Sequence, residues 1–298
     1  MPDLLKLHFI VLLWGCTGIL GKLIDLPSVE LVLYRGVISA VGFGCVLLWR
    51  GEEPRLPWRE AWPLLATGGL IGLHWTLFFL SAKLSNVSVS VIALSTTALW
   101  TALLEPLLVR GKPWRRSEVL FGVLVIGAVA FLFDEGSPHL GGFLVGVGAA
   151  LVGTVFSIFN GWFAGRWSHH KISLYEMMGT ALVCALCLPL SALGWFGENE
   201  GYDLLPSGSE WIWLMVLSLV CTVYAFGEYI ELLERISVYT INLANNLEPL
   251  YGILLAAWLF AEWAELDGRF YLTSAVIVGV VGMHSWWEGR PSYPSSKV

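Results

Sequence analysis

Residues Ser237–Glu262 read SVYTINLANNLEPLYGILLAAWLFAE, an apolar stretch long enough to cross a bilayer. Its middle is Asn245-Asn246-Leu247-Glu248-Pro249. At about 1.5 Å per residue, Glu248 falls close to the centre of such a span. Insertion scales put a carboxylate at that depth at about 2.5–3.5 kcal/mol or more. Pro249 has no N–H to give, so the Asn245 carbonyl is expected to lose its helical donor. Hydrocarbon cannot satisfy that carbonyl, so the segment must be buried in protein or line a wet cavity. Helical spacing also puts Asn242, Asn245 and Glu248 along one face, with Gly252 below them. The stretch predicts a membrane protein with a polar centre.

Composition agrees. The 298 residues are 56% hydrophobic and 13% charged, with a mean hydropathy of +0.71, whereas a soluble domain carries nearer about 25% charged residues. Trp49, Trp58, Trp62, Trp195, Trp211, Trp286 and Trp287 stand near the ends of apolar runs, where interfacial aromatic belts form. The net charge of −6 comes from acidic loops and names no partner. Cys184-Ala-Leu-Cys187 has redox-motif spacing, but it lies inside a predicted span with no βαβ context, so packing is the better reading. The first apolar segment has no small-residue cleavage site after it and is expected to be a retained span. No phosphate-cradling loop is present, so neither ATP hydrolysis nor nucleic acid is expected.

Working outward, apolar windows fall at 4–24, 29–49, 61–83, 87–109, 118–134, 142–163, 174–196, 211–233, 237–262 and 269–287. Ten spans in an all-α membrane protein are predicted. With the N-terminus inside, the inner segments hold Lys6, Arg50, Arg55, Arg59, Arg110, Lys112, Arg115, Arg116, Arg166, Lys171, Arg235, Arg290 and Lys297, most of the 17 basic residues. The outer ends hold Lys22, Lys83 and Arg269, while the outer loops supply Asp134, Glu135, Glu198, Glu200 and Asp203. This bias predicts cytoplasmic termini in an inner or plasma membrane.

Ten spans divide into two five-helix halves, 1–138 and 139–298, and an odd repeat number inverts one half relative to the other. Leu84–Leu94 (LSNVSVSVIAL) aligns with Leu233–Leu243 (LERISVYTINL), and each is followed by a polar cluster, Ser95-Thr96-Thr97 or Ala244-Asn245-Asn246. Leu33-Tyr34-Arg35 likewise matches Leu174-Tyr175-Glu176. Inverted repeats of this kind place a solute site at their interface near the midplane.

These pieces resemble the EamA-type permeases of the drug/metabolite transporter superfamily. The resemblance rests on Leu13-Trp14-Gly15 with Lys22, on Arg35, and on Asn246-Leu247-Glu248-Pro249 with Tyr251-Gly252 and Glu262. It implies ten helices in two inverted repeats and export of amino acids, metabolites or drugs. Where the family pattern has proline in the first half this chain has Ala98, with Glu105-Pro106 further on. The two Glu-Pro pairs do not coincide in the repeat alignment, so Glu105 takes no role from Glu248.

Candidate solute-binding residues are Asn242, Asn245, Glu248, Thr96, Thr97, Trp14, Trp75 and Tyr224. The alternative for the asparagines is interhelical hydrogen bonding, and for the aromatics, core packing or lipid contact. Trp14, Trp75, Trp100 and Tyr224 could form a cage for a cation. Proton-coupling candidates are Glu248, His74 and Glu228, because a buried carboxylate or a histidine can titrate in the working range. Lys22 and Arg35 are gate candidates, with a local Arg35–Glu30 ion pair as the structural alternative. Glu262, Glu265, Asp267 and Arg269 read as a solvated outer cluster, and His169-His170 lacks further ligands for a metal.

The function these features predict is secondary transport, in the export direction, of small metabolites such as amino acids or amines. Strongly anionic solutes are disfavoured, because no lysine or arginine is expected at the midplane. A membrane enzyme acting on lipid would group its chemistry near an interface. An accessory subunit would tolerate apolar replacement of the polar stripe. The expected partners are a small-molecule solute, the lipid bilayer and a coupling proton; no cofactor or metal is expected, and oligomeric state is not encoded in these features.

Overall fold

A computed structural model describes residues 3–130, 139–195, 205–260 and 268–288. The acidic residues Asp134, Glu135, Glu198, Glu200, Asp203, Glu262, Glu265 and Asp267 lie outside them. Among the described residues there are ten helical segments, one in each predicted window. They are α1 (Asp3–Lys22), α2 (Ser28–Trp49), α3 (Trp58–Leu84), α4 (Val87–Leu108), α5 (Arg116–Ala130), α6 (Leu140–Phe163), α7 (His169–Ala192), α8 (Glu210–Leu232), α9 (238–260) and α10 (Gly268–Glu288). Seven of them, α1–α4 and α6–α8, are long and apolar enough to cross a membrane.

The segments end on two faces. On the terminal face, where α1 begins, Arg235 Nε meets Asp3 at 3.1 Å, Tyr175 Oη accepts from the Leu56 N–H at 2.9 Å, and Trp167 Nε1 donates to Glu60 at 2.9 Å. On the opposite face, Glu210 accepts from the Asp25 N–H at 2.6 Å and Ser81 Oγ donates to the Gly142 carbonyl at 2.7 Å. The turns carrying Arg50, Arg55, Arg166 and Arg235 thus gather at the terminal face. Its acidic members respond to that company: hydrogen bonding by Ser168 and Arg50 holds the Glu52 carboxyl below the usual carboxylate range.

Helices α2 and α7 run antiparallel along their lengths. Phe43 touches the His170 ring at one end, and Ser191 Oγ donates to Glu30 at 3.0 Å at the other. Both helices stop in the same way. Gly51 and Gly194 take φ of 70° and 71°. Their N–H groups, with those of Glu52 and Trp195, bond back to the last turn (Gly51 N–H to Leu48 O 3.1 Å, Gly194 N–H to Ser191 O 2.9 Å), the paired pattern of a Schellman stop. Matched helices of the two halves therefore carry the same terminator on opposite faces.

Glycines set how closely the halves approach. A Cβ on Gly68 of α3 would lie 2.0 Å from the Glu176 carbonyl oxygen of α7, and one on Gly179 would lie 2.0 Å from the Leu65 oxygen. Thr180 Oγ1 donates to the Gly68 carbonyl at 2.8 Å across the same crossing. Small residues allowing backbone approach are the main source of helix affinity in lipid, where apolar burial gives no preference. The five cysteines are all free thiols.

Four helices are interrupted near mid-length. α1 pauses at Cys16 between Asp3–Gly15 and Thr17–Lys22. α4 pauses between Val87–Leu94 and Thr97–Leu108, and α9 passes through a 3-10 turn at Asn245–Leu247. The centre of α8, Val216–Tyr224, is a π-helix.

Candidate functional site: a central cavity between interrupted helices

The interruptions of α4 and α9 meet at the middle of the bundle, and each satisfies its own backbone. In α4 the Ser95 N–H reaches Ile92 O at 3.0 Å and the Thr96 N–H reaches Ala93 O at 3.2 Å, a tighter winding than the α-helix. In α9 the Glu248 N–H donates to the Asn245 carbonyl. The acceptor that Pro249 cannot serve is thus served one residue earlier, which corrects the expectation of a freed carbonyl. Beside it, Gly15 admits the α9 backbone: its Cβ would lie 3.2 Å from the Gly252 nitrogen.

Around these breaks one cavity is lined by Trp14 and Thr17 of α1, Arg35 of α2, and His74, Trp75 and Phe78 of α3. Leu94 and Thr97 of α4, Gly153, Phe156 and Ser157 of α6, Phe226 and Tyr229 of α8, and Asn242, Asn245 and Glu248 of α9 complete it. The structure therefore brings together Trp14, His74, Trp75, Thr97, Asn242, Asn245 and Glu248 from the candidates named in the sequence. Glu248 is 7% exposed and sits at the first turn of its half-helix. The Asn245 Oδ1 is buried without a hydrogen-bond partner. Asn242 also braces the fold, its Nδ2 donating to Thr101 Oγ1 of α4 at 3.0 Å. His74 Nδ1 lies 2.7 Å from the Ala149 carbonyl; a carbonyl only accepts, so the hydrogen is on Nδ1 and Nε2 is left as an acceptor. Gly153 makes room for that ring, since a Cβ there would come within 2.9 Å of it.

Arg35 corrects the sequence reading. Expected towards the outer end of its span, it is buried and lines the central cavity. Its guanidinium carbon stands 3.5 Å over the Trp75 ring, and its Nε donates to Thr222 Oγ1 at 2.8 Å. The local ion pair with Glu30 does not form; Glu30 takes the Ser191 hydroxyl instead. The centre of the bundle thus holds a fixed guanidinium, against the expectation that it carries no lysine or arginine. Arg35 and Glu248 share the cavity without a salt bridge between them, which leaves a guanidinium and a carboxyl group facing one space.

Other candidates lie elsewhere. Thr96 is buried but turned into its own helix, its Oγ1 donating to Ala93 O at 2.8 Å. Tyr224 is 43% exposed on the outer surface of the bundle and meets Phe9 edge-on. The proposed four-member aromatic cage is therefore not assembled: Trp14 and Trp75 reach the cavity, Trp100 and Tyr224 do not. Glu228 is paired with Lys6 near the terminal face. Lys22 is exposed and lines a separate cavity with Asp25 and Lys83 at the opposite face, apart from Arg35. Glu105 bonds Lys112 at 2.8 Å, a local tie.

The residues missed by sequence reasoning are those the π-helix presents. Two of its carbonyls reach outward: the Cys221 oxygen accepts from Trp14 Nε1 at 3.2 Å and the Ser218 oxygen from Ser39 Oγ at 3.3 Å. The same segment holds Thr222 against Arg35. Single-turn departures of this type concentrate at functional sites, and no residue pattern in Val216–Tyr224 announces one.

Comparison with known proteins places this arrangement. The EamA-like transporter family matches residues 4–134 and again 141–284. An uncharacterized transporter of Haemophilus influenzae is 23% identical over 288 residues, covering 89% of this chain and 88% of its own. The aromatic amino acid exporter YddG of Ancylobacter novellus is 24% identical over 230 residues, 74% of this chain and 75% of its own. A solved crystal structure superposes with a TM-score of 0.72 at 21% identity, covering 97% of this chain and 99% of that one, a likeness of fold. With the family matched once in each half and both halves contributing to one central cavity, the chain belongs to the EamA-like transporter family.

Proposed function

We propose that this protein is a secondary transporter of amino acids, working by alternating access between inverted five-helix halves, about 1–138 and 139–298. The observation that carries this is the Arg35–Glu248 arrangement: a guanidinium and a carboxyl group line one cavity and are not joined to each other. A zwitterion matches both, its carboxylate to Arg35 and its ammonium to Glu248. Trp14, Trp75, Phe78 and Phe156 would take its side chain, with the amides of Asn242 and Asn245 at the polar end. A purely cationic solute is disfavoured because Arg35 already covers the Trp75 face that would receive it.

Export is the favoured direction, since one relative bears the name of an aromatic amino acid exporter. The basic turns at the terminal face support its placement in the cytoplasm of an inner or plasma membrane. An enzyme acting on lipid is disfavoured, because the polar groups converge at mid-depth and the relatives are named as transporters.

The test is exchange of labelled amino acids in proteoliposomes of the purified chain. Saturable exchange of an aromatic or aliphatic amino acid is expected, weakened in both Arg35→Lys and Glu248→Gln. Exchange of amines but of no amino acid would overturn the reading, and so would turnover of a lipid without any flux.

A further inference from the structure

A second polar group of residues lies between the cavity and the terminal face, and the solute site does not use it. Asn160 of α6, Ser173 and Glu176 of α7 and Tyr229 of α8 are all buried, the first three at 0% exposure. Both amide atoms of Asn160, both carboxyl oxygens of Glu176, Ser173 Oγ and Tyr229 Oη lack hydrogen-bond partners. Asn160 stands within hydrogen-bonding reach of both Glu176 and Tyr229, and Ser157 within reach of Tyr229, though none of these contacts attains ordinary bond geometry. Native proteins rarely leave one buried polar group unpaired, and a cluster of them asks for a reason.

Among the described residues, no cation stands there to balance a carboxylate. Facing Glu176, α8 presents Tyr229 and α6 presents Asn160. From α3 comes the backbone of Gly68, and residues 61–73 carry no titratable side chain. Along α2, residues 36–43 carry none either. On α7 itself, Tyr175 turns its hydroxyl to the Leu56 N–H of the terminal-face turn. Gly68 fixes the Glu176 backbone, since no Cβ fits between them, so the side chain cannot leave by a small helix shift. A carboxyl buried among neutral groups is stable with its proton on and unstable with it off.

Tyr229 links this group to the solute. Its ring lines the cavity and meets Trp14 edge-on at 5.4 Å, while its hydroxyl is turned toward Asn160. Ser157, one turn before Asn160, lines the cavity as well. We infer that Glu176, with Asn160, Ser173 and Tyr229, is a proton-carrying site that couples amino-acid movement to a proton gradient. In each cycle one proton from water adds to a carboxylate oxygen of Glu176 on one side of the membrane. The same O–H bond breaks to return that proton to water on the other side. The coupling rests on the transport reading above; the protonation itself does not.

Two measurements on the purified full chain in liposomes test this. Glu176→Gln mimics the protonated carboxyl, so it should keep amino-acid exchange at equal concentrations and lose accumulation driven by a pH gradient. Infrared difference spectra between acid and alkaline pH should show the carbonyl stretch of a protonated carboxyl in wild type and its loss in Glu176→Gln. Gradient-driven accumulation by Glu176→Gln at the wild-type level overturns the inference, as does an unchanged infrared band. A wild-type accumulation driven by sodium instead of protons, and lost in Glu176→Gln, overturns it in favour of a cation site. If wild type exchanges no amino acid but the band behaves as expected, the transport reading fails and the proton site stands; normal exchange with an unchanged band gives the reverse.

Discussion

The guanidinium carbon of Arg35 stands over Trp75, 3.5 Å from the ring centroid, and its Nε donates to Thr222 at 2.8 Å. One face and one nitrogen are thereby committed, and the two terminal amino groups are left for the cavity. A planar fork so oriented suits a carboxylate, and the ring restrains it before any solute arrives.

Arg35→Lys should therefore not be conservative. A lysine cannot hold the Thr222 bond, the stacking and a two-pronged carboxylate contact together. Hydrogen bonds to charged groups are worth about 1.5–3 kcal/mol, so amino-acid affinity should fall by roughly ten- to a hundredfold. Competition binding on purified protein reads this directly. Unchanged affinity would remove Arg35 from the solute site.

Glu248→Gln preserves shape and hydrogen bonding while deleting the charge. Affinity for an amino acid should drop roughly tenfold, the scale of one charge-assisted contact. Affinity for the same molecule lacking its amine should hold or improve. Equal losses for both compounds would mean that Glu248 does not meet the ammonium group.

Gly68→Ala should damage the whole protein. Its new methyl would press on the Glu176 carbonyl oxygen 2.0 Å away, and backbone cannot step aside as a side chain can. Overpacking of this kind costs about 1–3 kcal/mol or more, visible as a lower melting temperature in detergent. Gly44→Ala, with nothing within 4 Å of its would-be Cβ, should melt at or slightly above wild type.

At the terminal face Lys6 bonds Glu231 at 2.7 Å and pairs with Glu228, tying α1 to α8. Partly exposed pairs contribute about 0.2–1 kcal/mol each. Lys6→Met should hardly alter melting, yet shift the balance between conformations by a few-fold. In a cysteine-free background, a thiol at Ser157 should then react faster with a membrane-impermeant reagent added at the terminal face. An unchanged rate would show that the tie does not close that face.

The ten helices were legible because apolar runs of membrane length admit few other readings, and the paired breaks in α4 and α9 were legible through their polar clusters. Asn245 and Glu248 stood out for the same reason: polar groups in hydrocarbon need company. Arg35 was misplaced because depth along a helix is one-dimensional. The sequence tells how far it lies from an end, not that α2 presents it to the bundle axis. Thr222 and the π-helix carry no signal in the sequence, since no residue pattern marks that winding and its partners, Trp14, Arg35 and Ser39, lie far off in the chain. In the sequence Glu176 stands out only as the repeat partner of Arg35. Its distance from the cations among the described residues is a property of several packed helices at once.

The breaks in α4 and α9 separate two questions that are usually asked together. Each break brings backbone amides and carbonyls to mid-depth at the positions of Leu94, Thr97, Asn245 and Glu248, which line the cavity. The position of such breaks depends on the chain's path, so under the proposed function the backbone would fix where a solute meets the protein. Side chains such as Arg35 would then set which solute it is. Descendants of one such scaffold could exchange cargo through a handful of substitutions while the location of the binding chamber stays where it is.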